Sequence, residues 1–530
     1  MAQAAADYII VGGGSAGCLV AARLIEAGAT VLLLEEGPPR GHPLLDLPAG
    51  YMKFLNSERY LKYYPTVPQP QLDGRSLIIP QGRLLGGGSA INAMVYLRGQ
   101  REDYDSWAAM TGDPGWSYDA MLPHFTAMEG NTDLAGPFHG TDGPLKVSHL
   151  GHMNPVTAAF LQSCAALGIP LNEDFNGAVQ AGAGRMQHTI DAGLRRRSSA
   201  ARAFLAPHRR NPRLTIVTRA RVQRLRLVAG RVIGVDYQHL GQTRRAEVGQ
   251  EVILAAGAIA TPHLMLRSGL GPAADLQTAA IAVLADLPEV GLNLQDHCEV
   301  PVISALQRGM GYFGQDRGLN MLRHGLRYLL SRRGPVTSTG VEACAFLPLG
   351  DDPRPLIQLY CVPTVYLDRT VSGIDPTWGL TLTPCLARPQ SRGSVRINPA
   401  DPDGLPLVDP GFLRDPADFA AMRAAIRRAR DILAAPPLRE MVTGALLPGA
   451  GDWSEDALDR HIRATVKTNY HPVGTCAMGR VTDAALRVMG VAGLRIVDAS
   501  AMPVIPAANT NAPTLALASR AAQLILQGRA

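Results

Sequence analysis

The chain has few aromatic residues, few cysteines and no long apolar run. Phe, Trp and Tyr make up 5% of its 530 residues, and its seven cysteines form no Cys-x-x-Cys pair, so neither a disulfide framework nor a zinc site is indicated. No stretch reaches the roughly 18 uncharged apolar residues that suggest a transmembrane helix. A strand pattern begins at Ala6, which leaves no room for a signal segment. We therefore expect a cytoplasmic protein that binds no metal.

The charge pattern argues against nucleic-acid binding. The net charge is only +6, and the one dense basic segment, residues 194–213, contains a single aromatic residue, Phe204. A nucleic-acid surface needs a basic stripe with stacking partners. We expect this segment to be a solvated helix face or a weak anchor to an anionic membrane surface. The length, 46% hydrophobic content, and 55 Gly and 40 Pro residues suit a loop-rich enzyme of two or three domains.

A strand–helix–strand pattern begins the chain. Residues 7–37 read DYIIVGGGSAGCLVAARLIEAGATVLLLEEG, with Gly12, Gly14 and Gly17 spaced as G-x-G-x-x-G at the first strand-to-helix junction. Such glycines permit a tight turn and close approach to a pyrophosphate at the helix N-terminus. Glu35, at the end of the second strand, can accept hydrogen bonds from a ribose. The pattern predicts a nucleotide site.

The same glycine turn has two other interpretations. Residues 13–17 also fit the G-x-S-x-G pattern of a hydrolase nucleophile elbow, and a glycine turn can exist without a ligand. Three consecutive glycines followed by a downstream acid favour phosphate binding over a nucleophilic serine.

A second glycine-rich stretch follows at residues 81–108. Gly86, Gly87 and Gly88 precede small residues, and such a backbone can lie against a large planar group; a plain long loop is the alternative. Residues 213–239 alternate like hairpin strands, and residues 251–271 repeat the strand–turn–helix pattern. Elements of the nucleotide domain therefore return after residue 210.

The middle and the tail of the chain differ in character. Residues 300–460 contain strands rich in β-branched and aromatic residues and one amphipathic helix, which indicates an antiparallel sheet backed by helices. In the tail, Leu515 begins a helical periodicity, with Pro513 in the first turn and Asn511 or Ala512 as the expected N-cap. We predict an α/β fold (α+β overall) in which a Rossmann-like domain is interleaved with this sheet-and-helix domain.

Six motifs in order resemble the glucose-methanol-choline (GMC) oxidoreductases, a family of FAD enzymes. The resemblance runs nearly from end to end and is closest to bacterial choline dehydrogenases and to membrane-associated, quinone-linked alcohol dehydrogenases. The motifs are GRLLGGGSAINAMVYLRG (82–99), GAIATPHLMLRSG (257–269), VGLNLQDH (290–297), YHPVGTCAMG (470–479), IVDASAMP (496–503) and NTNAPT (509–514).

The resemblance implies a set of FAD-binding residues and domain limits. FAD should be non-covalent, because no histidine occurs in Leu97-Arg98-Gly99, near which some relatives attach it. The expected FAD-binding domain comprises residues 1–155, 200–305 and 465–530, and the substrate-binding domain residues 156–199 and 306–464. The implied FAD-binding residues are Gly12, Gly14, Ser15, Ala16, Gly17, Glu35, Gly86, Gly87, Ser89, Asn92, Ala93, Met94, Val95, Val222, Asp498, Ala499, Asn509 and Thr510.

His471 is the predicted catalytic base. Oxidation of an alcohol removes a hydroxyl proton and a hydride, and a positioned base contributes about 10² to 10⁴ in rate. The resemblance places His471 over the flavin N5 edge and Asn511 as its partner on the substrate oxygen, with the tail helix N-terminus facing the flavin. Glu342 could orient His471 or balance a cationic substrate. The alternatives are a buried structural histidine and a solvated Glu342, and His297 is expected to pack at the domain junction.

The predicted substrate is an uncharged primary alcohol, aliphatic or benzylic. Choline needs an aromatic cage. Phe346, Tyr360 and Tyr366 could contribute to one, but nothing in the sequence singles them out. The resemblance favours a quinone-like electron acceptor, with O2 as the alternative. Choline dehydrogenase activity, an FAD-containing hydroxynitrile lyase and a light-driven fatty-acid decarboxylase stay open as other functions. Peripheral association with the inner membrane is compatible with the resemblance. The oligomeric state is not predicted.

Overall fold

The glycine turn at the start of the chain joins a strand to a helix, as predicted. In the computed structural model, strand Ala6–Val11 leads into helix Ser15–Glu26 and then into strand Val31–Glu35. The structure describes residues 6–367, 371, 374–449, 451 and 453–528. The remaining residues of the two predicted domains lie outside the described residues.

The first sheet is a parallel Rossmann-like sheet with an antiparallel extension. Its parallel strands run in the order Leu214–Thr218, Val31–Glu35, Ala6–Val11, Gln242–Leu254 and Leu494–Ile496. Strand Gln242–Leu254 is long enough to pair also with Arg231–His239, which forms the predicted hairpin with Ala220–Val228. The residues of the central strands Ala6–Val11 and Val31–Glu35 are almost all buried on both faces, as expected for parallel strands.

The second sheet is antiparallel and draws its strands from distant parts of the chain. Its order is Val442–Leu447, Val302–Leu306, Gly379–Leu386, Ile357–Val362, Ala343–Leu347 and Gly182–Arg185, and Cys298–Glu299 joins Gly379–Leu386 to Lys467–Thr468. The fold is therefore α/β, with a Rossmann-like domain and an interleaved antiparallel sheet. The predicted limit at residue 305 falls inside a strand of this second sheet, and the domain limits stay predictions.

Helices cover both sheets. The amphipathic segment predicted in the middle of the chain forms Pro416–Ala434, capped by Asp415, and packs on the second sheet. The C-terminal helix, Asn511–Gln527, packs on Ser15–Glu26, and its N-cap is Thr510 rather than the predicted Asn511 or Ala512. The other α-helices are Arg101–Thr111, Tyr118–Met128, Pro155–Ala166, Ala260–Arg267, Ala273–Thr278, Gly318–Ser331, Leu438–Met441 and Glu455–Thr465.

Short strands form the remaining pairs. They are Leu61–Pro65, Ile78–Gly82, Glu129–Asn131, Leu145–His149, Gln187–His188, Ile190–Asp191, Arg196–Arg197, Leu270–Gly271, Ala285–Asp286, Leu292–Leu294, Gly393–Arg396 and Leu407–Asp409. The seven cysteines are all free and buried, as expected of small apolar residues.

Candidate active site

The two glycine-rich loops meet at the carboxyl end of the parallel strands. The Gly86 N–H donates to the Gly13 carbonyl at 2.7 Å, and a Cβ added at Gly87 would lie 2.7 Å from the Gly14 Cα. A Cβ added at Gly17 would lie only 2.0 Å from the Gly12 carbonyl oxygen. The close approach therefore requires glycine, and it leaves backbone bare of side chains at this place.

Two helix N-termini open into one cavity at these loops. Ser15 and Asn511 begin the two helices, both residues line the cavity, and the Ser15 hydroxyl donates to Asn511 Oδ1 at 2.7 Å. Helix N-termini attract negative charge. The Ser15 hydroxyl faces an amide oxygen and no base, which argues against the nucleophile-elbow interpretation.

Most of the predicted site residues line this cavity, which runs from the first glycine loop to His471. The lining includes Gly14, Ser15, Gly87, Asn92, Ala93, Met94, Val95, His471, Asp498, Ala499, Asn509, Thr510 and Asn511. The bare backbone and the two helix N-termini suit the phosphates of a dinucleotide such as FAD.

Glu35 lies beneath the first glycine loop rather than on the cavity wall. Its carboxylate accepts the Gly13 N–H at 2.8 Å and the Gly37 N–H at 2.7 Å. Burial raises the pKa of this carboxyl, and the two N–H groups oppose the rise. Glu35 thus holds the loop, and its contact with a ribose stays a prediction. Six other predicted FAD-binding residues do not line the cavity, and their contact with FAD stays a prediction: Gly12, Ala16, Gly17, Gly86, Ser89 and Val222.

Asp498 ties the end of the parallel sheet to the cavity. One carboxylate oxygen accepts the Gly257 N–H at 2.9 Å and the Thr261 hydroxyl at 2.6 Å. The other accepts the backbone N–H and hydroxyl of Ser500. Burial raises the pKa of this carboxyl against those hydrogen bonds. Asp498 therefore fixes the loop that contributes Ala499 to the wall.

Arg197 supports the second glycine loop, and the sequence did not single it out. Its buried guanidinium donates to the carbonyls of Leu45 and Ser89 and to both the side chain and the carbonyl of Asn92, at 2.7–3.0 Å. Burial lowers the pKa of Arg197 to about 9. The basic segment 194–213 is therefore not one solvated face, because Arg197 within it braces the cavity.

The Leu-Gln-Asp-His motif positions His471. Gln295 and Val473 exchange backbone hydrogen bonds, and Asp296 Oδ1 accepts the His471 N–H at 2.8 Å. Burial raises the pKa of Asp296 to about 7. Tyr470, directly before the histidine, has a left-handed backbone with φ of 66°, a strained conformation for a bulky residue that the surrounding contacts must hold.

Both ring nitrogens of His471 have partners. His297 Nε2 lies 3.0 Å from the Ala387 carbonyl and must donate to it, so its Nδ1 is an acceptor. That Nδ1 lies 3.0 Å from His471 Nδ1, which therefore carries the proton and leaves Nε2 as an acceptor. The Asn509 amide nitrogen lies 3.2 Å from that Nε2.

The electrostatic setting keeps the His471 ring neutral. Its side chain is buried, and this burial is the main reason that the pKa of His471 lies well below its usual value. The nearby His297 lowers the pKa further. Burial also lowers the pKa of His297 to about 4. The pair is therefore uncharged near pH 7, and Nε2 of His471 can accept a proton.

Two predicted catalytic roles need correction. The asparagine that contacts His471 is Asn509, which the resemblance assigned to FAD, whereas Asn511 bonds Ser15. Glu342 is 3% exposed and is not solvated. Its carboxylate accepts hydrogen bonds from the Asn154 N–H and from the hydroxyls of Thr157, Ser338 and Tyr312, and it does not line the cavity. It therefore neither orients His471 nor faces a substrate.

A buried ion pair lies at the wall of the cavity. Glu299 lines the cavity, and its carboxylate pairs with the Lys467 ammonium, which is 1% exposed. The Lys467 nitrogen lies 4.6 Å from the Tyr366 ring centre and 5.3 Å from that of Tyr470. Burial alone would lower the pKa of Lys467, but the adjacent Glu299 carboxylate holds it well above its usual value. The negative charge of Glu299 on this wall is thus balanced by the positive charge of Lys467.

Within the described ranges, no cluster of three or more His, Cys, Asp or Glu side chains could hold a metal ion. Over the same part of the chain, no helix has the length and apolarity to span a bilayer.

Comparisons with known proteins agree with this geometry. Family models described as GMC oxidoreductase match residues 6–299 and 389–518. An alcohol dehydrogenase (acceptor) of Pseudomonas putida is 40% identical over 534 residues, covering 98% of this chain and 96% of the relative. An oxygen-dependent choline dehydrogenase of Paraburkholderia xenovorans is 38% identical over 529 residues, covering 98% and 94%.

Solved structures share the fold across the whole chain. The pyridoxine 4-oxidase from Mesorbium loti has a TM-score of 0.88 at 32% identity, covering 98% of this chain and 99% of its own. A formate oxidase has a TM-score of 0.92 at 26% identity, covering 100% and 99%. From the glycine loops, the cavity and these matches together, the chain belongs to the GMC oxidoreductase family and is an FAD-dependent oxidoreductase.

Proposed function

We propose that this protein oxidises an uncharged primary alcohol, aliphatic or benzylic, to the aldehyde and passes the electrons to a quinone-like acceptor. The observation that carries the proposal is the hydrogen-bond chain from the Ala387 carbonyl through His297 to His471. This chain leaves Nε2 of the neutral His471 ring as an acceptor at the cavity, beside the Asn509 amide as a donor.

His471 and Asn509 would act together on the substrate hydroxyl. The hydroxyl would donate to His471 Nε2 and accept from the Asn509 amide, replacing the direct contact between these side chains. The orientation of the Asn509 amide is supported by the Gln358 amide, which donates to the Asn509 oxygen at 3.4 Å. The Tyr360 hydroxyl lies 3.3 Å from the same oxygen, but its proton goes to Gln358 Oε1 at 2.8 Å. The amide nitrogen is thereby directed at the substrate oxygen, where it stabilises the developing alkoxide.

FAD, when bound, supplies the hydride acceptor. We propose that Gly14, Ser15 and Gly87 hold its phosphates, with the Asn511 helix N-terminus toward the flavin. Non-covalent attachment is supported by the lining itself: among the described lining residues His471 is the sole histidine, and no cysteine is present. Acid denaturation followed by filtration should release all the yellow cofactor.

The Glu299–Lys467 pair supports a neutral rather than a cationic substrate. An unpaired carboxylate near Tyr360, Tyr366 and Tyr470 would attract a quaternary ammonium. Lys467 compensates that charge from behind the wall, so choline would meet an uncharged surface and a buried ammonium.

The test is anaerobic mixing of the purified enzyme with 1-octanol, benzyl alcohol and choline while flavin absorbance is followed. We expect the neutral alcohols to bleach the flavin and choline to do so at least tenfold more slowly. The contact of the choline cation with the buried Lys467 ammonium should cost more than about 1.4 kcal/mol, which corresponds to a factor of ten. Asn509→Ala should lower the bleaching rate about 10²-fold. Asn511→Ala, its matched control, should change cofactor affinity more than this rate. Failure of every alcohol to bleach the flavin would refute the proposal.

The acceptor and the lyase alternative need separate assays. Under air, a quinone-linked enzyme should produce little hydrogen peroxide and should reduce a ubiquinone analogue. Stoichiometric peroxide would instead identify an oxidase. Release of cyanide from a cyanohydrin without flavin bleaching would identify a lyase.

A further inference from the structure

Helix Gly318–Ser331 exposes a continuous apolar face. Leu319 is 83% exposed, Leu322 65%, Leu326 58%, Leu329 67% and Leu330 79%. The spacing i, i+3, i+7, i+10, i+11 places these side chains on one side of the helix. Large apolar patches on a protein surface mark interaction sites, and this one lies outside the active site.

The opposite side of this helix holds it on the protein. Tyr328 is its buried residue, and the Tyr328 hydroxyl donates to the Leu194 carbonyl at 3.1 Å. The leucine face is therefore directed outward by a fixed contact on the other side.

The charge around the leucine face is of one sign. Between residues 317 and 341 the sequence contains no Asp or Glu, whereas Arg317, Arg323, Arg327, Arg332 and Arg333 all lie in this segment. Four of them, Arg323, Arg327, Arg332 and Arg333, form no ion pair with any described residue, whereas Arg317 pairs with Asp316. The result is an apolar strip bordered by uncompensated cations.

We propose that Gly318–Ser331 is a membrane-surface anchor that lies in the plane of an anionic phospholipid bilayer. The leucines would enter the boundary of the acyl chains and the arginines would contact lipid phosphates, the arrangement of interfacial amphipathic helices. A second copy of the chain fits less well, because two such faces would bring arginines together without acids to pair with them.

The position of the helix relates it to the active site. The turn after it, Pro335–Thr337, lies against Pro48–Phe54, and Tyr51 and Met52 of that segment line the cavity. Docking would keep this cavity wall near the bilayer, where apolar alcohols and quinones concentrate. The anchor itself does not depend on the proposed substrate or acceptor.

Vesicle co-sedimentation of the FAD-containing enzyme tests the anchor. Vesicles of equal parts phosphatidylglycerol and phosphatidylcholine should sediment the enzyme, and pure phosphatidylcholine should do so at least tenfold less well. Leu322→Glu with Leu326→Glu should lower the partition coefficient on the order of 100-fold. Leu171→Glu with Leu240→Glu, which adds the same charge at other exposed leucines, should leave it unchanged.

A second variant pair separates this helix from the other basic segment. Arg323→Gln with Arg327→Gln should lower binding roughly tenfold, whereas Arg209→Gln with Arg210→Gln, in the segment 194–213, should not. The flavin spectrum and alcohol-driven bleaching verify folding, because none of these residues lines the cavity. The proposal would be overturned if the enzyme did not bind vesicles, or if the leucine variant bound them as well as the wild type. It would also be overturned if the leucine variant lost only self-association, measured by sedimentation velocity.

Discussion

The role of His297 leads to a prediction about the protonation of His471. His297→Phe keeps a planar ring of similar size but removes the acceptor that fixes the proton on His471 Nδ1. The freed imidazole can then place its proton on Nε2, where it no longer accepts the substrate proton. The variant should therefore bind FAD and alcohol but transfer hydride slowly.

The magnitude follows from the lost hydrogen bond. A buried donor left without an acceptor costs about 1–3 kcal/mol, and each 1.36 kcal/mol in the barrier is tenfold in rate. Flavin reduction should slow roughly 5- to 150-fold in His297→Phe. His297→Gln can restore both contacts, because its amide nitrogen can donate to the Ala387 carbonyl while its oxygen accepts from His471, and it should recover most of the rate.

The assay is anaerobic stopped-flow bleaching of the flavin at saturating benzyl alcohol. The limiting rate should fall in His297→Phe while the alcohol concentration at half-maximal rate changes little, since His297 does not line the cavity. Equal rates in wild type and His297→Phe, or an equal loss in the Phe and Gln variants, would refute the inferred proton arrangement.

Three further predictions follow from burial and charge. In Asp296→Asn, which removes the carboxyl with a pKa of about 7 beside His471, the limiting flavin-reduction rate should stay level from pH 8 to about pH 6 and fall only below that. The reason is that the pKa of His471 lies well below its usual 6.5 and the neutral ring is active; a midpoint near 6.5 in this variant would contradict this. Lys467→Met should lower the melting temperature, since breaking a buried ion pair costs about 3–5 kcal/mol. Choline should raise the melting temperature of this variant again, because its cation can pair with the negative charge of Glu299. It should not do so in the double variant Lys467→Met with Glu299→Gln, which lacks that charge. Arg197→Met should lose FAD on gel filtration while Arg202→Met, whose side chain is exposed, retains it.

Local pattern predicted the parts of the fold that depend on neighbouring residues. The first strand–helix–strand unit, the hairpin after residue 213 and the C-terminal helix agree with the structure because glycine spacing, alternation and helical periodicity act within short segments. His471 lies on the cavity wall, and its place over the flavin stays a prediction.

The errors arose where distant segments decide the outcome. Asn511 is turned to Ser15 because it already belongs to the helix, which leaves Asn509 in the preceding loop to reach His471. Glu342 is enclosed by Asn154 and Thr157, far away in sequence. Neither arrangement produces a periodicity or a spacing that a single sequence displays.

The most direct test of the account is the rate at which alcohol reduces the flavin of His471→Ala. The variant should purify yellow with wild-type FAD content and bleach with benzyl alcohol about 10²- to 10⁴-fold more slowly than wild type. The loss should persist at saturating alcohol, since the histidine acts on the hydroxyl proton. Bleaching at a rate near that of wild type would contradict the assignment of His471 as the base.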